Sequence, residues 1–169
     1  MENKPDANTV YRMMDSKIDA AAAIGEVISC ARSEICIFDS APAGMRDRDF
    51  GRPARIDSLR QMLLADRRHR LRIVLHEAIG IESELPRLLN LLVLLSSQIQ
   101  IHRTIGPARE ARDVMIIADA AHFWRKPYFD HNRSILTLHD PIATQPFIDR
   151  FEEIWGNSES AVSGRTAGL

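Results

Sequence analysis

Five apolar residues, Val114 to Ala118, run without a polar interruption between Asp113 and Asp119. So short a run, closed by a carboxylate at each end, reads as a strand covered on both faces. A strand of that kind needs neighbours along both edges and a helical layer above and below. It therefore constrains the rest of the chain to supply a sheet and its covers.

The flanking patterns supply them. Ala20, Ile24, Val27, Ile28 and Ala31 fall on one helical face, and "EICIFDS" after them reads as a strand. "APAGMRDRDFGRP" reads as loop, with Pro53 placed to open a helix through Ile56, Leu59 and Leu63. "LRIVLHE" is the next strand. A leucine-rich helix follows from about Ser83 to Leu95, and then "QIQIHRT" with Ile99 and Ile101 inward and Gln98, Gln100 and His102 outward. "HFWRK" pairs back on the central strand across Asp119-Ala120-Ala121, and "SILTLHD" adds another strand. A last helix carries Phe147, Ile148, Phe151, Ile154 and Trp155, capped by Asp140 and opened by Pro141; Pro146 conflicts with its running unbroken. The expected order is α-β-α-β-α-β-β-β-β-α, an α/β fold with a mixed β-sheet sandwiched between helices. Residues 1–16 and 159–169 are small and polar and read as flexible tails around one domain, 17–158.

Composition excludes some functions. A formal net charge of -1 gives no overall basic bias, so sequence-specific nucleic-acid binding is not expected. "DRRHRLR", Asp66 to Arg72, reads as cations at a helix C-terminus, or as part of a polyanion patch with His102, Arg103, Arg109 and Arg112. The apolar run "LLNLLVLL" is far shorter than a membrane span, and the opening residues have no signal-peptide core, so a cytoplasmic protein is expected. The six histidines show neither HxH nor HExxH spacing, and Cys30 and Cys36 read as reduced thiols; no metal or cofactor is expected.

The element order, with "VMIIAD", a turn, a strand and the closing "FIDRFEEIWGNS" helix, resembles one repeat of the phospholipase D superfamily from about Lys17 to Ser158. It also resembles uncharacterised bacterial modules. The superfamily's chemistry uses HxK(x4)D: histidine attacks phosphorus, lysine neutralises the phosphoryl oxygens, and aspartate supports the local hydrogen bonds. With Asp119 at the aspartate position, the histidine position falls on Arg112 and the lysine position on Val114. Arginine stays protonated and valine carries no charge, so the nucleophile is missing. What the resemblance leaves is a degenerate site: a non-catalytic module binding a partner or a small anionic ligand through Arg112, Asp119, His122, Trp124, Arg125 and Lys126. An Arg112–Asp119 salt bridge is the structural alternative for part of that set. A divergent phosphodiesterase or nuclease with another nucleophile, and a purely structural dimerisation domain, are the other readings. Single-repeat members dimerise, and the helix from Leu85 to Leu95 is apolar nearly all round, so a homodimer is expected.

Overall fold

The structure, a computed structural model, describes residues 6–164. Eight strands form one sheet: β1 (Val10–Met14), β2 (Glu34–Asp39), β3 (Arg70–Leu75), β4 (Ile99–Thr104), β5 (Val114–Ala118), β6 (His122–Lys126), β7 (Ser134–Leu138) and β8 (Ser158–Val162). Their spatial order is β1-β7-β6-β5-β2-β3-β4-β8. β2, β3 and β4 are parallel, and the other pairings are antiparallel. All five residues of β5 are buried, as their unbroken apolar run requires.

The helices are α1 (Lys17–Cys30), α2 (Pro42–Met45), α3 (Pro53–Leu64), α4 (Ile81–Glu84), α5 (Pro86–Leu94) and α6 (Pro141–Gly156). One face of the sheet packs α1, α3 and α5 against Ile35, Ile37, Ile73, Ile101, Ile116 and Trp124. The other packs Phe151 and Ile154 of α6 against Phe38, Val74, Met115, Ile117 and Phe123. Alternate residues of each strand feed opposite layers, the period-two rule that makes the fold a three-layer sandwich.

Several expectations need correction. The segments read as tails contribute both edge strands: β1 pairs with β7, and β8 pairs with β4. The parts of those tails at 1–5 and 165–169 lie outside the described residues. The "APAGMRDRDFGRP" loop is largely helical, with α2 leading into a wide turn over Arg46–Phe50. The leucine-rich helix is split at Leu85 (φ -134°), because Pro86 disfavours helical geometry in the residue before it. α6, by contrast, runs through Pro146, which lies on its solvent face, where the carbonyl freed four residues earlier can take water. Gln98 is buried, and its Nε2 donates to the carbonyls of Leu63, Asp66 and His69.

Candidate functional site

The antiparallel register β5–β6 decides where each expected site residue goes. Val114 faces Lys126, Ile116 faces Trp124 and Ala118 faces His122, so His122, Trp124 and Lys126 project into the α1 layer. Arg125 projects the other way. There it lies over the Phe147 ring (4.9 Å to the centroid) and 3.8 Å from Asp113. Asp113 is buried and takes a bidentate pair from Arg150, at 2.8 and 2.6 Å.

Arg112 and Asp119 stand at opposite ends of β5, seven residues or about 23 Å of extended chain apart, so no salt bridge joins them. Arg112 is exposed. Asp119 sits at the lower end, where its carboxylate accepts the amides of Arg32, Ser33 and Glu34 and the Ser33 hydroxyl, at 2.6–3.0 Å. Burial alone would raise this carboxyl, but the amides of Glu34, Arg32 and Ser33 outweigh it and hold it below the ordinary value. His122 is at the same lower end, its Nδ1 accepting the His139 amide at 2.9 Å. The six residues therefore do not form one pocket. Two of them, Trp124 and Lys126, do share one.

That pocket is a cleft of ≈ 320 Å³ at the upper end of the sheet, lined by Lys17, Ser40, Gly44, Arg48, Trp124 and Lys126 among others. β2 ends here on Asp39, 1% exposed, whose Oδ2 accepts from Arg48 Nη1 at 2.8 Å and whose Oδ1 accepts the Ser40 amide at 2.7 Å. Burial raises the Asp39 carboxyl, opposed by Arg48 and the Ser40 hydrogen bonds. The pair is seated by Gly44, where an added Cβ would lie 2.7 Å from Asp39 Oδ1 and 3.0 Å from Arg48 Nη1. Arg48 also donates to the Gly44 carbonyl at 2.6 Å and lies 5.7 Å from the centroid of the Trp124 ring.

Two polar groups on residues that line this cleft have no hydrogen-bond or ion-pair partner among the described residues. Trp124 is 1% exposed, and its buried Nε1–H makes no hydrogen bond. Lys126 is half-buried and makes no ion pair. Burial, with repulsion from Arg48 and Lys17, holds its ammonium below the ordinary lysine value, against the weaker pull of Asp39 and Asp130. Sequence reading found Trp124 and Lys126 but missed Arg48 and Asp39. An acid closing a buried parallel strand was the available signal, since open α/β sheets bind ligands beyond the carboxyl ends of their strands.

Three of the seven arginines expected to form a polyanion patch are paired with acids. Arg72 pairs with Glu34 and Glu152, Arg68 with Asp66, and Arg103 with Glu159. His76 is structural, with Nδ1 2.7 Å from Thr104 Oγ1 and Nε2 2.6 Å from the Ala111 carbonyl oxygen. Cys30 and Cys36 are free thiols. No helix among the described residues is long and apolar enough to cross a membrane.

The sheet order, the two helical layers and a cleft over the β2 and β6 ends define a phospholipase D-like α/β fold. The chain superposes on Nuc from Salmonella typhimurium, a phospholipase D family member, with a TM-score of 0.57 and 13% identity, over 92% of this chain and 100% of that one. NucT from Helicobacter pylori gives 0.56 and 12%, over 91% and 100%. TrmBL2, an archaeal chromatin protein with a novel mode of DNA binding, gives 0.60 and 16%, over 95% of this chain and 57% of that one. Within that fold the chain belongs to the family described as Domain of unknown function (DUF7931), whose model matches residues 16–166. No curated protein matches it.

Proposed function

We propose that this chain is a non-catalytic phospholipase D-like module that binds a small phosphate-type anion in the cleft over Lys126. The observation that carries this is the place of that lysine. Val114, at the position where the resemblance puts the superfamily's lysine, lies directly across the ladder from Lys126. Directly opposed residues share a face, with Cβ atoms about 4.5–5.5 Å apart. Lys126 thus brings an unpaired cation to nearly the place where Val114 brings none. The Trp124 side chain lines the same cleft, and Arg48 offers guanidinium donors beyond those used by Asp39 and Gly44.

A small ligand fits better than a polymer. The net charge is -1, and Asp47 and Asp130 rim the same cleft, so there is no extended basic track for a nucleic-acid backbone. Catalysis lacks a nucleophile: none of the six histidines has a lysine two residues on. The Ser40 hydroxyl lies 3.4 Å from Asp39 Oδ1, which already accepts the Ser40 amide, while Oδ2 accepts Arg48, so both oxygens are engaged by other donors.

Titration of the labelled protein with inorganic phosphate and with dimethyl phosphate tests the reading. The Trp124 indole N–H resonance should shift, the Trp155 one should not, and Lys126→Ala should abolish the response, as should high salt. No shift in the wild type, or one that survives Lys126→Ala, removes the proposal. Hydrolysis of bis-p-nitrophenyl phosphate should stay at background. Turnover lost in Ser40→Ala would make the cleft an active site instead.

A further inference from the structure

At the opposite end of the sheet the last residue of α1, the first of β6 and the residue after β7 converge. These are Cys30, His122 and His139. The Cys30 thiol sulfur and one ring nitrogen from each histidine all lie within 4.8 Å of one another. The two imidazoles meet edge to face, with centroids 4.6 Å apart and planes at 89°. From this constellation we infer a binding site for a thiophilic transition-metal ion of the zinc class, with Cys30, His122 and His139 as its protein ligands.

The donor set selects the class of ion. One thiolate and two imidazoles suit zinc, cobalt or copper, and suit neither calcium nor magnesium, which take oxygen. Zinc bonds of about 2.3 Å to sulfur and about 2.0–2.1 Å to nitrogen place tetrahedral donors about 3.3–3.6 Å apart. The three atoms must therefore close by at most about 1.2–1.5 Å. His139 is exposed and Cys30 half-buried, so both can turn about their side-chain bonds while buried His122 stays in place. Three protein donors leave a fourth position for water or an external ligand.

The same groups have little else to do. Among the described residues His122 makes a single side-chain hydrogen bond, through Nδ1, and neither the Cys30 thiol nor the His139 ring makes any. His139 is held in the left-handed region (φ +56°), pinned by its amide on His122 and by its carbonyl, which accepts the Thr9 hydroxyl at 3.1 Å. A non-glycine residue kept in that conformation by both of its backbone groups points to a constraint on where its side chain sits. A neutral imidazole has one lone pair, and in His122 it now accepts the His139 amide; a metal competes for it, and the displaced amide, on an exposed residue, can turn to water. That competition predicts reversible binding rather than a permanently locked structural ion. The Asp119 carboxylate acts on both Cys30 and His122 and adds negative charge beside the site.

Cobalt and zinc titrations of the full chain under reducing conditions test the inference. Cobalt should bind one to one and give a thiolate-to-cobalt charge-transfer band. Zinc should displace it and raise the melting temperature. Cys30→Ala should lose the band, whereas Cys36→Ala should keep it. His139→Ala, on an exposed residue, should fold normally and bind at least about tenfold more weakly, a loss that even an outer-sphere partner can bring. His122→Ala, in the core, is read only if its melting curve matches the wild type. Absence of the band, a band surviving Cys30→Ala, or affinity unchanged in His139→Ala overturns the site.

Discussion

Replacing Asp119 with asparagine takes the charge from the carboxylate that gathers the chain between α1 and β2. Its oxygens accept the Arg32 amide at 2.6 Å, the Ser33 amide at 2.9 Å, and the Glu34 amide and Ser33 hydroxyl at 3.0 Å. Asparagine keeps one acceptor oxygen and turns an NH2 group against the remaining amides. Arg32 and Ser33 are exposed, so water replaces most of what they lose; the Glu34 amide is less open. One charge-assisted bond to a partly buried amide is worth about 1.5–3 kcal/mol, so a loss of about 2 kcal/mol at neutral pH is expected. In a chain of this size that lowers the melting temperature by about 4–8 °C.

The pH dependence separates charge from shape. The folded carboxyl is held below its unfolded value of about 3.9, so its stabilisation is complete above that value and is lost as pH falls through the folded one. The gap between wild type and Asp119→Asn in urea should be widest near neutral pH, persist to about pH 5 and narrow below about pH 4, at equal m-value. A gap under about 0.5 kcal/mol at neutral pH, or one that does not narrow in acid, would refute the assignment of the carboxylate as the cap.

Arg48→Met should be the more damaging change in the cleft. It leaves Asp39 buried without its cation, at a cost of about 3–5 kcal/mol, and Arg48→Met with Asp39→Leu should recover most of that by urea denaturation. Association through α5 should be weak, because Leu88, Leu89, Leu91 and Leu92 are buried within the chain and only Val93 and Leu94 face outward. Light scattering at high micromolar concentration should give the same mass for wild type and Leu94→Glu. A dimer abolished by Leu94→Glu would restore the helix as an interface.

What could be read from the sequence followed burial. β5 and the central Ile35–Phe38 of β2 announce themselves because strands covered on both faces are apolar where they are covered, and α1 because its buried residues Ala23, Ile24, Val27 and Ile28 keep helical spacing. The edge strands escape for the converse reason. In Val10–Met14 only Met14 is buried, and Ser158–Val162 has no buried residue, so their pairing is imposed by β7 and β4 rather than by their own pattern. The expected site failed on the same period of two. "HFWRK" looks like one basic aromatic cluster along the chain, yet alternation sends Arg125 to α6 and Lys126 to the cleft. Arg48 was hidden by a turn that looked irregular, while Asp39 closes a strand that is recognised without weighing its acid. The Cys30, His122 and His139 group joins three distant segments and carries no spacing at all.

The distinction between a lost nucleophile and a displaced cation is physical. Covalent attack needs the reacting atom about 3–3.5 Å from phosphorus and aligned with the leaving group, so a histidine cannot be supplied from one strand away. Coulombic attraction falls only as the inverse of distance and has no direction, so a lysine can act from the neighbouring strand with part of its effect retained. On the proposed reading, Val114 with Lys126 opposite it keeps the attraction for an anion and gives up the reaction. The buried Asp39–Arg48 pair works in the same sense. Its carboxylate oxygens are occupied by Arg48 and the Ser40 amide, while the guanidinium they hold in place still faces the cleft. On that proposal, the site is suited to holding a phosphate-type group rather than to breaking one.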